Sequence, residues 1–337
     1  MKKDIQFAEV IRFLGVILIL LCHYTEQSTN VLLNMSAQFL NIGVPIFIIL
    51  SGFLFGVREG GKNALSWYMR RIKRIYIPYE LFVIILAVIT ILYGGNIIKR
   101  DWLFLVLGLQ GSVVGVYGAE QTWFITALLF CYMLTPVIRF IVLEICKSRK
   151  KLYIIYTAVF LIIPIFLSFI PPAFVYTLFI PFCWYALAYL IGYKFTDINL
   201  TSIRAICSFG IMILIFGVRI LMRMGFDGSY LYDRITVSYT QAIAAFCIFY
   251  IIAYIFKNRK ANQIVLWISS ISFEMYLYHY MFTVGPIKLF GISGNWIIDC
   301  IVVTIVVVII SMIMSRWSAL IIRKLNVRYL CKVEVRK

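Results

Sequence analysis

Residues 9–24, EVIRFLGVILILLCHY, place an arginine and a histidine in a stretch that is otherwise apolar enough for lipid. Arg12 and His23 are eleven residues apart, so on a helix they point within roughly 20° of each other and lie about 16 Å apart along the axis. Glu9 precedes Arg12 by one turn, and Glu26 follows His23 by one turn. Because charge in hydrocarbon is costly and often functional, the segment predicts a polar track along one face of a transmembrane helix.

Each of these residues also has a simpler explanation. Arg12 can extend its charged head to the cytoplasmic surface, and His23 can lie at the outer interface. Their shared face favours a functional role, in which a neutral His23 imidazole accepts a proton from an alcohol. The only other histidine, His279 in SISFEMYLYHYMF, is predicted at a similar depth, where it either joins this site or is a packed, hydrogen-bonded residue. Two histidines without clustered carboxylates argue against a protein-bound metal.

A basic segment, ALSWYMRRIKRIYIPYE at residues 64–80, precedes the third apolar run. Its charge is typical of a cytoplasmic loop, and an amphipathic surface helix has the same composition. Arg71 and Arg74 are three residues apart and therefore share a helical face beside the membrane. Guanidinium groups so placed can bind phosphate oxygens bidentately. The segment thus predicts either a topology signal or a binding site for a phosphorylated cytosolic donor.

The composition indicates which elements must position these residues. Hydrophobic residues make up 63% of the 337-residue chain, above the roughly one half typical of soluble domains. We predict an all-α, polytopic membrane helix bundle, organised as a single membrane-embedded domain over residues 1–337 with no appended soluble domain. About ten apolar runs are long enough to cross a bilayer as helices. The predicted spans are 8–24, 38–57, 78–98, 122–143, 152–170, 174–193, 204–224, 236–256, 264–284 and 296–322.

The basic residues give the predicted orientation. The formal net charge is +18, but most Lys and Arg fall in short loops on one side of the predicted spans, which explains the charge without nucleic-acid binding. Both termini are therefore predicted to be cytoplasmic, with an uncleaved first span. The run WLFLVLGL at 102–109 is too short to cross and is predicted to lie in the interface or to re-enter.

Five stretches, in this order and over essentially the whole chain, resemble the acyltransferase-3 family of bacterial membrane acyltransferases. They are R-x10-H at Arg12 and His23, FIILSGFLFG, RRIKRIYIPY, TWFITALLFCYMLTP and SFEMYLYH. The resemblance implies a multi-pass protein of the bacterial cytoplasmic membrane. It also implies transfer of an acyl group, usually acetyl from acetyl-CoA, to a hydroxyl of a cell-surface glycan or glycolipid.

The resemblance assigns the donor-binding residues by position. Arg12 belongs to the family's Arg–His pair, Arg71 and Arg74 match its R-x-x-R, and Glu9 stands where the family often has Asp. These three arginines are expected to hold the phosphates of acetyl-CoA from the cytoplasmic side. The pantetheine arm is then expected to run along the first span toward the outer surface.

The same resemblance assigns the chemistry to the outer end of that span. His23 is expected to deprotonate the acceptor hydroxyl, with Glu26 or another outer carboxylate such as Glu120 orienting the imidazole. An acyl-His23 intermediate is a variant of this mechanism. Some relatives carry a fused extracytoplasmic hydrolase-like domain. Since none is recognised here, the chain is expected to act alone or to hand the acyl group to a glycan-assembly protein.

Two other classes of protein share these features. Membrane-embedded charge and broken helices also occur in transporters, and a glycan exporter needs a polar path. A non-catalytic subunit of a polysaccharide synthesis machine is the third reading. The sequence leaves open whether Arg219, Arg223 and Glu274 belong to the site or to pairing between helices.

Overall fold

The protein is described by a computed structural model over residues 6–57, 64–95, 98–110, 115–147, 151–170, 173–195 and 198–334. Most residues in these ranges are helical and none forms a strand, which confirms the predicted all-α class. A 3₁₀ turn at Glu120–Thr122 precedes α6, and a π-helix at Leu231–Thr236 precedes α10. The α-helices are α1 (Phe7–Glu26), α2 (Val31–Leu40), α3 (Gly43–Val57), α4 (Ala64–Leu92), α5 (Lys99–Val106), α6 (Trp123–Lys147), α7 (Lys151–Leu167), α8 (Ala173–Tyr193), α9 (Ser202–Phe226), α10 (Val237–Ile255), α11 (Gln263–Thr283) and α12 (Trp296–Glu334).

Within the described ranges, 8 helical segments are long and apolar enough to cross a membrane. Two further predicted spans coincide with helices of a different character. α7 has only 17 residues, and α11 is long enough but carries buried polar side chains such as Ser272 and Glu274. The count of ten crossings and the cytoplasmic termini therefore stay predictions. The eight segments are Phe7–Glu26, Val31–Val57, Tyr68–Leu92, Glu120–Ile145, Tyr176–Tyr193, Ser202–Phe226, Leu231–Ile255 and Trp296–Leu325.

The outward faces of these helices are apolar. On α9, Ile203, Leu214 and Leu221 are exposed, and on α12 the outward residues include Ile297 and Ile305. A soluble protein does not expose apolar surface continuously along whole helices. Such faces are what a lipid-embedded helix presents, because its neighbours are hydrocarbon.

The chain forms two compact units, each assembled from two separated segments. Unit 1 comprises Met1–Glu59 and Thr126–Ser270, and unit 2 comprises Gly60–Ile125 and Ile271–Lys337. α1 to α3 and α7 to α10 belong to unit 1, while α4, α5 and α12 belong to unit 2. One division falls between α3 and α4, and the other two fall inside α6 and α11.

The centre of unit 1 is the close packing of α3 on α8. A methyl group at Gly52 would collide with the carbonyl oxygen of Tyr185, and one at Gly56 would collide with that of Tyr189. Gly43 lies against the backbone of α1 in the same way. Small residues let helix backbones approach closely, which drives helix association in membranes. The glycines of the stretch GVPIFIILSGFLFG therefore act in packing.

In unit 2, α4 packs against α12 and α5. The Tyr76 hydroxyl donates to the carbonyl of Val106 over 2.7 Å, and the Tyr79 hydroxyl donates to that of Leu105. Tyr79 lies 13 residues before Leu92, the end of α4, which is about 20 Å along the axis. α5 thus ends beside the middle of α4, and the placement of 102–109 in the interface or as a re-entrant segment stays a prediction.

Candidate functional site

His23 lies in the last turn of α1 and forms a pair with Glu26. Its Nδ1 is 2.8 Å from Glu26 Oε2, and the side chains are 25% and 43% exposed. Because the carboxylate only accepts, Nδ1 carries the hydrogen, and in the neutral ring the lone pair is on Nε2. A histidine oriented by a carboxylate and presenting a basic nitrogen is the arrangement of a general base.

The turn between α1 and α2 holds this pair in place. Spacing of three residues brings His23 and Glu26 together on one helical face. Cys22 Sγ contacts Glu26 Oε1 at 3.5 Å, and Asn34 Nδ2 donates to the Glu26 carbonyl oxygen over 2.8 Å. α2 begins directly afterwards, with the Asn30 side chain accepting from the first backbone amides of that helix.

Arg12 lies near the other end of α1 and is also paired with a carboxylate. Its Nη1 is 2.5 Å from Glu9 Oε1, and Glu9 Oε2 accepts from Ser269 Oγ over 2.6 Å. The arginine is 28% exposed and Glu9 is 35% exposed, so the pair remains accessible. Glu9, the departure from the family's usual Asp, therefore fixes Arg12 and ties the start of α1 to α11.

The predicted polar track is interrupted between these two pairs. The same face of α1 carries Gly15, Val16 and Ile19, and all three are buried. The prediction of a continuous polar track on this helix is wrong, because those residues pack against neighbouring helices such as α3. α1 instead carries one charged pair at each end, separated by apolar packing.

Arg71 and Arg74 belong to unit 2 and lie two to three turns into α4. Arg71 is half-buried and Arg74 is exposed. The segment 64–80 was predicted as a loop before a span starting at 78, but α4 is continuous from Ala64 to Leu92 with Pro78 inside it. Pro78 has no N–H to donate to the Arg74 carbonyl, yet the helix continues, so the two arginines are on the spanning helix itself.

His279 is fully buried in the part of α11 that belongs to unit 2. Its Nδ1 is 2.7 Å from the carbonyl oxygen of Tyr276, and its ring lies about 6 Å from those of Tyr276 and Tyr280. A carbonyl only accepts, so Nδ1 again carries the hydrogen. This is the geometry of the packed, hydrogen-bonded alternative, and a catalytic role for His279 stays a prediction.

The structure thus divides the predicted site residues between its units. Arg12, His23 and Glu26 belong to unit 1, whereas Arg71, Arg74 and His279 belong to unit 2. Glu120, the other suggested orienting carboxylate, is also in unit 2, where its Oε2 accepts from the backbone amide of Gly118 over 2.9 Å. The carboxylate beside His23 is Glu26.

The structure also places the polar residues whose role the sequence left open. Arg223 pairs with Asp227 over 3.8 Å at the exposed end of α9. Glu274 is buried in α11 and accepts a hydrogen bond from Ser315 of α12. Arg219 is buried in unit 1. The sequence shows these charged residues within apolar runs. It does not show what they contact, because those contacts depend on helix packing. The same holds for the contact of Ser269 with Glu9.

Comparison with known proteins gives one match. The acyltransferase-3 family model, described as an acyltransferase domain, matches residues 5–316. No curated protein and no solved structure shows significant similarity to the chain. The matched region contains all six predicted site residues.

Proposed function

Because the chain belongs to the acyltransferase-3 family, we propose that this membrane acyltransferase moves an acetyl group from cytosolic acetyl-CoA to a surface glycan. The acceptor is a hydroxyl of a polysaccharide or lipid-linked glycan outside the bacterial cytoplasmic membrane. The observation that carries this proposal is the His23–Glu26 pair, a histidine whose Nδ1 is 2.8 Å from a carboxylate oxygen.

In the proposed reaction His23 is the general base. Nε2 takes the proton of the acceptor hydroxyl while the hydroxyl oxygen attacks the thioester carbonyl carbon. A C–O bond forms, the C–S bond breaks, and the CoA sulfur leaves with the proton that His23 returns. Glu26 holds the ring and stabilises the imidazolium that forms during the step. The products are the glycan ester and free CoA.

In this proposal the donor is bound by arginines. Arg12, Arg71 and Arg74 bind the CoA phosphates, for which planar guanidinium groups are suited. Glu9 keeps Arg12 in one orientation through a 2.5 Å contact. The roughly 16 Å of helix between Arg12 and His23 is of the order of the length of an extended pantetheine arm. The face of α1 between them is buried and apolar, so it offers no polar groups to that arm.

The test is the ester-linked acyl content of surface glycan from a deletion strain complemented with wild type, His23→Ala or Arg12→Ala. Membrane insertion of each protein is checked, and Asp227→Asn serves as a control for loss of a surface charge in unit 1. We expect wild type and the control to restore acylation and both other variants to fail. Full restoration by His23→Ala would refute the proposed base. If the deletion strain exports less glycan but the acyl content of that glycan is unchanged, the protein is an exporter instead.

A further inference from the structure

Arg219 is the one buried residue of α9, a helix whose 25 residues are all described. It is 2% exposed, whereas the apolar side chains around it on α9 face outward. A guanidinium stays charged under all physiological conditions. Burying that charge is unfavourable unless an anion accompanies it. The position of Arg219 therefore calls for a negatively charged partner.

The described part of the chain supplies Arg219 with only a neutral partner. It hydrogen-bonds the hydroxyl of Tyr232 on the π-helix, and that hydroxyl donates to Gln38 Oε1 over 3.0 Å. The Nε and Nη1 donors of Arg219 have no acceptor among the described residues. Its positive neighbour Arg223, one turn further along α9, is the residue that pairs with Asp227.

The guanidinium lies at the same end of unit 1 as His23. Arg219 and Cys22 are close enough to interact electrostatically, and Cys22 is the residue before His23. Cys22 also contacts Glu26 Oε1, while the other oxygen of Glu26 holds the imidazole. Arg12 lies ten residues before Cys22 on α1, which is about 15 Å along the axis.

The α2 helix and the π-helix complete the surroundings of this arginine. Phe39 of α2 packs edge-on against Phe216, one turn before Arg219, with ring centroids 5.5 Å apart. Cys22 Sγ contacts the carbonyl of Ala37 over 3.4 Å. α2 thus contacts both the turn that carries the His23–Glu26 pair and the neighbours of Arg219.

We infer that Arg219 binds an anionic group, a phosphate or a carboxylate, of the acceptor glycan. Phosphate and carboxylate oxygens both accept charge-assisted hydrogen bonds from a guanidinium, so either group can use the Nε and Nη1 donors of Arg219. The proposed function assigns the phosphates of CoA to Arg12, Arg71 and Arg74, so the anion at Arg219 comes from the second substrate. The identity of that substrate rests on the proposed transfer reaction, but the anion binding does not.

The experiment measures ligand-induced shifts of Tm with the purified full-length protein in detergent. The probes are glucose 1-phosphate, glucuronic acid, methyl glucoside and coenzyme A. We expect one or both anionic probes to raise the Tm of the wild type and methyl glucoside to leave it unchanged. Arg219→Gln should weaken that anion binding about tenfold or more while coenzyme A still stabilises the variant. The two anionic probes tell a phosphate site from a carboxylate site.

Arg223→Gln is the matched control, since it removes an arginine from the same helix. It should leave the response to every probe unchanged. If Arg219→Gln does not fold, Tyr232→Phe decides, because it removes only the hydroxyl that orients the guanidinium and should weaken the anionic probe about threefold or more. The inference is overturned if the wild type responds to neither anion. It is also overturned if Arg219→Gln, or Tyr232→Phe where Arg219→Gln does not fold, binds the anion as tightly as the wild type does.

These results separate this inference from the proposed function. If anion binding depends on Arg219 but the chain restores no acyl groups to glycan, the transfer reaction is refuted and the anion site stands. If acyl transfer depends on His23 but anion binding does not depend on Arg219, the anion site alone is refuted.

Discussion

Glu26 Oε2 lies 2.8 Å from His23 Nδ1 at the outward-predicted end of α1, and Glu26 Oε1 lies 3.5 Å from Cys22 Sγ. Both oxygens of one carboxylate are therefore engaged by residues of its own helix. This fixes the imidazole by local geometry, through contacts that a single turn of helix provides.

Glu26→Gln should lower kcat about tenfold to a hundredfold with little change in KM for acetyl-CoA. The amide cannot stabilise the imidazolium as a carboxylate does, although it keeps a similar shape. The measurement is the initial rate of CoA release with purified protein and acceptor. Asp227→Asn is the control, because it also neutralises an exposed carboxylate in unit 1. An unchanged kcat in Glu26→Gln would show that the pair is structural only.

Arg71→Ala and Arg74→Ala should each raise KM for acetyl-CoA about tenfold, since a hydrogen bond to a charged group contributes about 1.5–3 kcal/mol. The wild-type KM should also rise with ionic strength, because both arginines are at least partly exposed. Arg100→Ala, which removes an exposed arginine from the first turn of α5, is the control. If KM stays constant and the amount of correctly inserted protein falls, the segment is a topology signal.

Glu9→Gln should raise KM for acetyl-CoA about threefold or more, because Arg12 loses the charged partner that orients it. Ser269→Ala should change KM in the same direction but less, since Glu9 keeps its charge and loses one hydrogen bond. Both variants are compared by steady-state kinetics at several ionic strengths. A lower KM in Glu9→Gln would mean that the Glu9 carboxylate opposes the donor phosphates.

Gly56→Ala should lower the Tm and the yield of folded protein, because the added methyl group collides with the carbonyl of Tyr189 on α8. Gly210→Ala on α9 is the matched control. Nothing lies within 4 Å of a methyl group there, and alanine is the better helix former by about 1 kcal/mol. Thermal unfolding in detergent distinguishes the two. Similar Tm values for both variants would show that α3 and α8 separate easily.

The fold class and the His23–Glu26 contact were predictable from the sequence because both depend on local rules. Apolar runs and helical spacing determine them without reference to other parts of the chain. The contacts of Glu9 with Ser269 and of Arg219 with Tyr232 were not predictable, because they join residues far apart in sequence through helix packing. The span predicted to begin at residue 78 is part of a helix that begins at Ala64, since membrane helices tolerate proline where neighbours compensate.

The attachment of α5 to α4 through Tyr76 and Tyr79 has a consequence for sequence divergence. Both hydroxyls bond to main-chain carbonyls, and every amino acid offers one. These two hydrogen bonds therefore depend on the side chains of α4 and not on the side chains of residues 105 and 106. Substitutions at the exposed positions Leu103 and Val106 therefore leave this anchor in place, whereas the buried side chains of Trp102 and Leu105 are constrained by packing.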